Sequence, residues 1–451
     1  MRATAALAVF ALAVGPALAH GGTLRGERQE LAIPQWLFLL TGGGVVGASF
    51  LLASFVTDRA FVRSAHRVRR ALAFPPLGIL RRIGRAVGVV GLLAVIAVGL
   101  VGPTAPLRNL AVLVVWAGWW AGYVMTTYLV GNTWPAINPW RTVAEGLPSL
   151  ERSLPARWGS WPAVGGLLAL VWLEVVSPLA DDPRLLAGVV LAYTAVTLGG
   201  AVAVGPDAWF DRVDPVARVF RWYGRVAPLR YRDGRLTLRA PGSGLTGAED
   251  LVGRPGDVAF VVALLWVTTY DGLVGTPAWR DVAAPLVAAG VPPVVLYPLA
   301  LVAGFVVFLG AYRLAAAHGR QYAESYLAGG TVARRFAPSL LAIAAGYHLA
   351  HYLGYFLSLL PVLGGALIAP LGPSSPVYLA LPRWFGGLEL AFVLLGHLLA
   401  IWVAHATAYD LFPGRMQAIR SQYPLTAVMI FYTMTSLLIV SQPAIAPPFL
   451  G

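Results

Sequence analysis

Long apolar blocks separated by short arginine-bearing loops organise this chain. Ten blocks stand out, at about 33–56, 84–103, 109–130, 162–180, 184–204, 256–276, 292–316, 337–362, 388–409 and 424–446. Each is long enough for a helix to cross roughly 30 Å of hydrocarbon. Helices are the expected solution, because an unpaired backbone is too costly in lipid. The predicted fold is therefore all-α: a polytopic transmembrane helix bundle of about ten spans. The small-residue run TGGGVVGAS at 41–49 predicts close helix contact. The longest inner loop, 205–255, contains YRDGRLTLRAPGSG, where alternation and an Asp-Gly pair predict a small hairpin or an interfacial excursion. It is too short for a separate soluble domain, so residues 20–451 read as one integral membrane domain.

The front end reads differently. Residues 1–19, MRATAALAVFALAVGPALA, have a basic start at Arg2, an apolar core and a small-residue exit, the pattern of a cleaved signal peptide. The mature chain then begins outside. With that start, 26 arginines fall in inner regions and six in outer ones, and the bias has the positive-inside sign at every crossing. Both mature termini are expected outside, in a multi-pass protein of the plasma (inner) membrane whose first partner is the lipid bilayer.

Composition agrees. Of the 451 residues 58% are apolar and 12% charged, about half the charged share of a soluble domain. The net charge is +13 and every basic residue is arginine. Nucleic acid is not the expected partner, because most arginines sit in short loops between apolar blocks. The absence of cysteine excludes disulfides, thiolate metal sites, cysteine nucleophiles and thiolate-bound clusters. Chemistry must come from His, Asp, Glu, Tyr, Asn or backbone.

The candidates concentrate in the eighth and ninth blocks. The eighth carries Tyr347, His348, His351, Tyr352 and Tyr355; the ninth carries Glu389, His397, His405, Tyr409 and Asp410. His348 and His351, three apart, share a helix face. With His397 at similar depth, the three imidazoles can converge on zinc, copper or iron. Asp271, Glu389 or Glu174 would serve as fourth ligand, orienting group or general base. The alternative is that these histidines hydrogen-bond to tyrosines and backbone across helices. A clamp of His348 or His351 with His397 around haem b is a further reading.

Asp271 follows Tyr270 in TTYDGL of the sixth block, either in a helix break on a proton or ion path or as an acid near the headgroups. Glu174, Tyr270, Tyr347, Tyr352 and His405 complete the polar pocket. Cleavage after Ala19 would expose His20, whose amine and imidazole suit copper. GNTWPAINPWR at 131–141 reads as turns, caps and interfacial anchors, with an inner-mouth gate as the other reading.

Taken together, IPQWLF, GNTWPAINPWR, GYHLAHYLGYF, GHLLAIWVAH and SQYPLTAVMI resemble the high-GC, actinobacterial-type polytopic membrane proteins commonly labelled fenitrothion hydrolase. The resemblance implies hydrolysis of an apolar, organophosphate-like ester. Chemically that would be metal-assisted, with a metal held by His348, His351 and His397 and the proton taken by Asp271 or Glu389. Two other readings stand beside this metal-dependent hydrolase. One is an ion- or proton-coupled transporter that uses Asp271, Glu174 and the membrane histidines. The other is a non-catalytic membrane subunit of a copper or respiratory assembly, docking another membrane or extracytoplasmic protein through His20 and the proline-rich outer loop GGALIAPLGPSSP.

Overall fold

The computed structural model describes residues 35–72, 77–232, 234–247, 252–372, 375–382, 384–443 and 445–450. The expected signal peptide, 1–19, and His20 lie outside the described residues.

The protein is mostly helical, and among the described residues eight helices are long and apolar enough to cross a membrane. They are α3 (Gly78–Val101), α4 (Leu110–Leu129), α8 (Pro183–Val204), α11 (Asp257–Val274), α13 (Pro293–Tyr322), the segment Gly329–Ile368 that joins α14 (Gly329–Phe336) to α15 (Leu340–Ile368), α16 (Phe385–Leu411), and Arg415–Val440, made of α17 (Arg415–Ser421) and α18 (Tyr423–Val440). The other two apolar blocks form shorter apolar stretches, Leu39–Ser54 within α1 (Gln35–Ser54) and α7 (Trp161–Val176). The apolar blocks of the sequence thus become helices, and the protein is a multi-pass membrane protein.

The loops carry short helices: α2 (Arg59–Arg67), α5 (Trp134–Ile137), α6 (Pro139–Ala144), α9 (Pro206–Arg212), α10 (Pro215–Tyr223) and α12 (Pro277–Ala288). Asparagine and aspartate start several of them. Asn138 accepts from the Arg141 amide to cap α6, and Asp214 from the Ala217 amide to cap α10.

The fold is not purely α. β2 (Leu229–Arg232) and β3 (Arg235–Arg239) form the hairpin expected in the long loop. β1 (Arg69–Leu72), from the connection between α2 and α3, then pairs antiparallel with β3, giving the order β1-β3-β2. The hairpin was readable from local alternation. The third strand was not, because RRAL pairs with residues distant in sequence and has no pattern of its own.

α11 occupies the centre, packed by α7, α13, α15 and α18. Its sequence DVAFVVALLWVTTYDGLV is apolar on all sides, as a helix enclosed by others must be. Thr268 and Thr269 satisfy their hydroxyls on their own helix, each donating to the Leu265 carbonyl at 3.0 Å. At its first turn, Asp257 accepts from Arg218 of α10 at 2.7 Å and from Ser160 at 2.5 Å. The Asp257–Arg218 ion pair is almost wholly buried and fixes the long loop under the bundle.

Small residues let the helices touch. α15 and α16 meet backbone to backbone at Gly346 and Gly396: a Cβ on Gly346 would lie 2.8 Å from the Gly396 Cα. In α1, Gly42 lies under Leu437 of α18, and Gly43 and Gly47 against Ile430.

Candidate functional site

α11 and α15 build a polar cluster toward the end of α11 opposite Asp257. Asp271 stands 14 residues along α11 from that buried pair, about 21 Å at 1.5 Å per residue. Its Oδ2 accepts from the Tyr352 hydroxyl at 2.8 Å and lies 3.2 Å from His351 Nε2. The His351 and Asp271 side chains are both deeply buried, at 8% and 10% exposure. Adjacent positions on α15 therefore deliver a phenol and an imidazole to one carboxylate oxygen.

The surroundings hold that geometry. The Tyr347 ring stacks parallel to His351 at 6.0 Å, and Tyr352 sits edge-on to it at 4.7 Å. Any Cβ at position 272 would lie 2.5 Å from the Tyr347 hydroxyl, so Gly272 is what lets Tyr347 approach α11 beside Asp271. From α7, Glu174 brings a second acid whose field reaches the Tyr270 and Tyr352 hydroxyls. Tyr270 itself donates to the Tyr297 carbonyl at 2.8 Å, which ties α11 to α13.

His348 lies nearly one turn before His351 on α15. It is completely buried, with Nδ1 3.0 Å from the Tyr128 hydroxyl. Its ring is surrounded by Trp120, Tyr128, Tyr223 and Tyr352 at centroid distances from 4.6 to 5.9 Å. Trp120 belongs to the π-helical stretch Val114–Tyr123 inside α4. Asp271, Tyr352, His348 and Tyr128 thus form a continuous polar and aromatic run from α11 across α15 to α4.

The other predicted residues lie elsewhere. His397 is buried on α16, and its Nδ1 donates to the Val393 carbonyl at 2.8 Å. Its Nε2 is buried and meets no hydrogen-bond partner among the described residues. His405 belongs to the opposite end of α16, where Nε2 donates to the Val56 carbonyl at 3.0 Å. Glu389 rests against α15, its Oε1 3.2 Å from where a Cβ on Gly354 would be.

The expected three-imidazole site does not assemble: among the described residues no three of His, Asp and Glu are grouped to hold a metal. Helix geometry gives the reason. Gly346 marks the side of α15 that touches α16, and His348, two residues on, is turned about 200° away from it. His348 and His351 share a face, as their spacing requires, but that face looks toward α11 and α4 rather than toward His397. The backbone contact at Gly346 and Gly396 also keeps α15 and α16 close together beside His397.

Tyr128, Trp120 and Tyr223 are members of the site that sequence reasoning passed over. Trp120 lies in the aromatic run VVWAGWWAGY, Tyr128 in VMTTYL just after it and Tyr223 at the end of PVARVFRWY, and none of these stretches carries an acid or a histidine to mark it. No family model, curated protein or solved structure matches the chain.

Proposed function

We propose that this protein is a proton-coupled membrane transporter whose proton-binding group is the Asp271 carboxylate. The observation that carries the reading is the convergence of Tyr352 and His351 on Asp271 Oδ2 inside the bundle. Ionisable groups at membrane depth are costly and are kept where they serve a pathway. A His–Asp pair can be buried at little net charge, as an ion pair or as two neutral groups. One added proton makes the pair cationic, and bundle and solvent must respond. The Tyr352 hydroxyl donates to Asp271 while its ring packs on His348 at 4.6 Å, so it holds the carboxylate beside the buried imidazole. Glu174 of α7 supplies a second acid within electrostatic range of the Tyr352 hydroxyl.

The arrangement in the membrane that this reading uses has ten spans. α1 and α7 cross as the short members, both mature termini lie outside the plasma membrane, and the arginine-rich loops lie inside. Asp271 then sits toward the outer half, and the run through Tyr352, His348 and Tyr128 leads inward.

The ester hydrolase implied by the sequence resemblance requires a metal-held water, and among the described residues no three of His, Asp and Glu are grouped to hold that metal. The decisive experiment is a pH jump on purified protein in liposomes adsorbed to a solid support. The expected result is a transient proton-binding current that Asp271→Asn abolishes and Glu389→Gln leaves intact. An Asp271→Asn current equal to that of the wild type would overturn the reading. So would metal-dependent cleavage of an apolar organophosphate triester by a protein that shows no such current.

A further inference from the structure

The small sheet on the arginine-rich side has two chemically opposite faces. Strand register places Arg69, Arg230, Arg235 and Arg239 on one face, with Ala71 and Thr237 between them. The other face carries Leu72, Leu229, Tyr231, Leu236 and Leu238, with Arg70 at its margin. The strands contain no acidic residue. Leu238 and Tyr231 are about 40% exposed, so the hydrophobic core does not cover the apolar face.

The sheet also lies where chains enter the bilayer. The Leu229 amide donates to the Val130 carbonyl at 2.9 Å, at the very end of α4. β1 leads into α3, whose first turns expose Ile79, Leu80 and Ile83 together with Arg81 and Arg82. Arg239 is the buried anchor, donating to the carbonyls of Gly224, Arg225 and Ala227. Burial first, then the neighbouring charges of Arg230, Arg225 and Arg69, pull its guanidinium down to about 10. Arg69 and Arg230 therefore stand within electrostatic range of Arg239 on this face, and a bound anion would offset their positive charge.

We propose that this sheet is a docking surface for anionic phospholipid headgroups of the leaflet it borders. Phosphate oxygens meet Arg69, Arg230 and Arg235, and acyl chains cover Leu238 and Tyr231. Guanidinium forks match phosphate oxygens in pairs. An amphipathic element of this kind lies in the interface plane, with its apolar side toward the chains. Charge complementarity selects the occupant, and the exposed leucine and tyrosine select a lipid over a water-soluble phosphate.

The test uses the full protein in uncharged detergent, titrated with phosphatidylglycerol or phosphatidylcholine. Bound lipid per chain is read by native mass spectrometry. Phosphatidylglycerol should be retained preferentially. Retention should weaken roughly fivefold for each arginine removed and about a hundredfold in the Arg69→Gln, Arg230→Gln, Arg235→Gln triple variant. The Arg280→Gln control should bind like the wild type, and the three corresponding lysine substitutions should keep most of the binding. If the triple variant does not fold, the exposed single change Arg235→Gln is read for its fivefold loss. Undiminished phosphatidylglycerol in these variants overturns the proposal. Equal displacement of the lipid by inorganic phosphate or a single-stranded oligonucleotide, at matched phosphate concentration, also overturns it, because the site would then read phosphate without the acyl chains.

Discussion

The Tyr352 hydroxyl donates to Asp271 Oδ2 at 2.8 Å, from the residue next to the histidine that meets the same oxygen at 3.2 Å. Two neighbours on one helix rarely serve one acceptor, because successive side chains point about 100° apart. Asp271 accommodates both by lying over the stretch of α15 between them. The phenol and the imidazole therefore stabilise the carboxylate by different means, one by hydrogen bonding alone and one, when protonated, by charge as well.

Tyr352→Phe and His351→Gln should separate these contributions. Tyr352→Phe removes one donor and keeps the ring packed beside His348. It should lower the affinity for a proton-coupled solute less than it slows the pH-jump current, by about tenfold. That matches the loss of a hydrogen bond to a charged group, about 1.5–3 kcal/mol. His351→Gln keeps a donor but loses the titrating partner. Its current should survive with a shifted pH midpoint. Identical current–pH curves for both variants and the wild type would remove Tyr352 and His351 from the pathway.

How much of this was legible beforehand depended on whether a property is local. Hydropathy alone located the helices. Gly42, Gly43 and Gly47 revealed a contact surface because three small residues in one stretch leave little other purpose. The spacing of His348 and His351 correctly put them on one face. It could not say which neighbour that face meets, since helices adjacent in sequence touch through a single stripe, here the one marked by Gly346. The partnership of Asp271 with His351 and Tyr352 joins residues about eighty positions apart, and no periodicity encodes it. The third strand, Arg69–Leu72, was hidden for the same reason.

Gly346 and Gly396 make their own prediction. A Cβ on Gly396 would lie 2.7 Å from the Ala342 carbonyl oxygen, and one on Gly346 would lie 2.7 Å from that of Phe392. Both obstacles are backbone, which cannot swing aside as a side chain would. Gly396→Ala should destabilise the protein by about 1–3 kcal/mol, the usual cost of overpacking. Gly364→Ala, on α15 with open space around it, should be neutral. Differential scanning fluorimetry in detergent would measure both, and equal melting temperatures for Gly396→Ala and Gly364→Ala would show that α15 and α16 do not meet at these glycines.

Arg218 and Asp257 should behave as a pair. Both side chains are about 3% exposed, so removing one leaves a charge buried without its partner. Arg218→Met or Asp257→Asn alone should cost about 3–5 kcal/mol, and the double variant should recover much of that loss. Unfolding of the two single and one double variant in detergent gives the coupling directly. Strict additivity would mean that the ion pair does not hold the long loop beneath α11.

Asp214 carries a dependence on pH. It lies in the loop between α9 and α10, where its Oδ1 accepts from the Ala217 amide at 2.6 Å and its Oδ2 from the Tyr193 hydroxyl at 2.6 Å. Burial raises its carboxyl from 3.8 to about 6, outweighing the hydrogen bonds that favour the anion. The folded state therefore binds this proton more tightly than the unfolded chain does. The stabilisation from that preference is complete below about pH 4 and is lost as pH rises through 6. Its size is at most about 3 kcal/mol, at roughly 1.4 kcal/mol for each tenfold change in proton affinity. Surface carboxylates in ion pairs push the other way, so the comparison must be against Asp214→Asn, which keeps a capping oxygen on α10 but cannot titrate. Subtracting the melting temperatures of this variant from those of the wild type, between pH 4 and 7.5, should give a difference that favours the wild type more at low pH, changes most steeply near pH 5, between the unfolded and folded pKa values, and levels off above 6. A difference independent of pH would show that Asp214 is ionised in the folded protein throughout this range, with the Ala217 amide and the Tyr193 hydroxyl outweighing its burial.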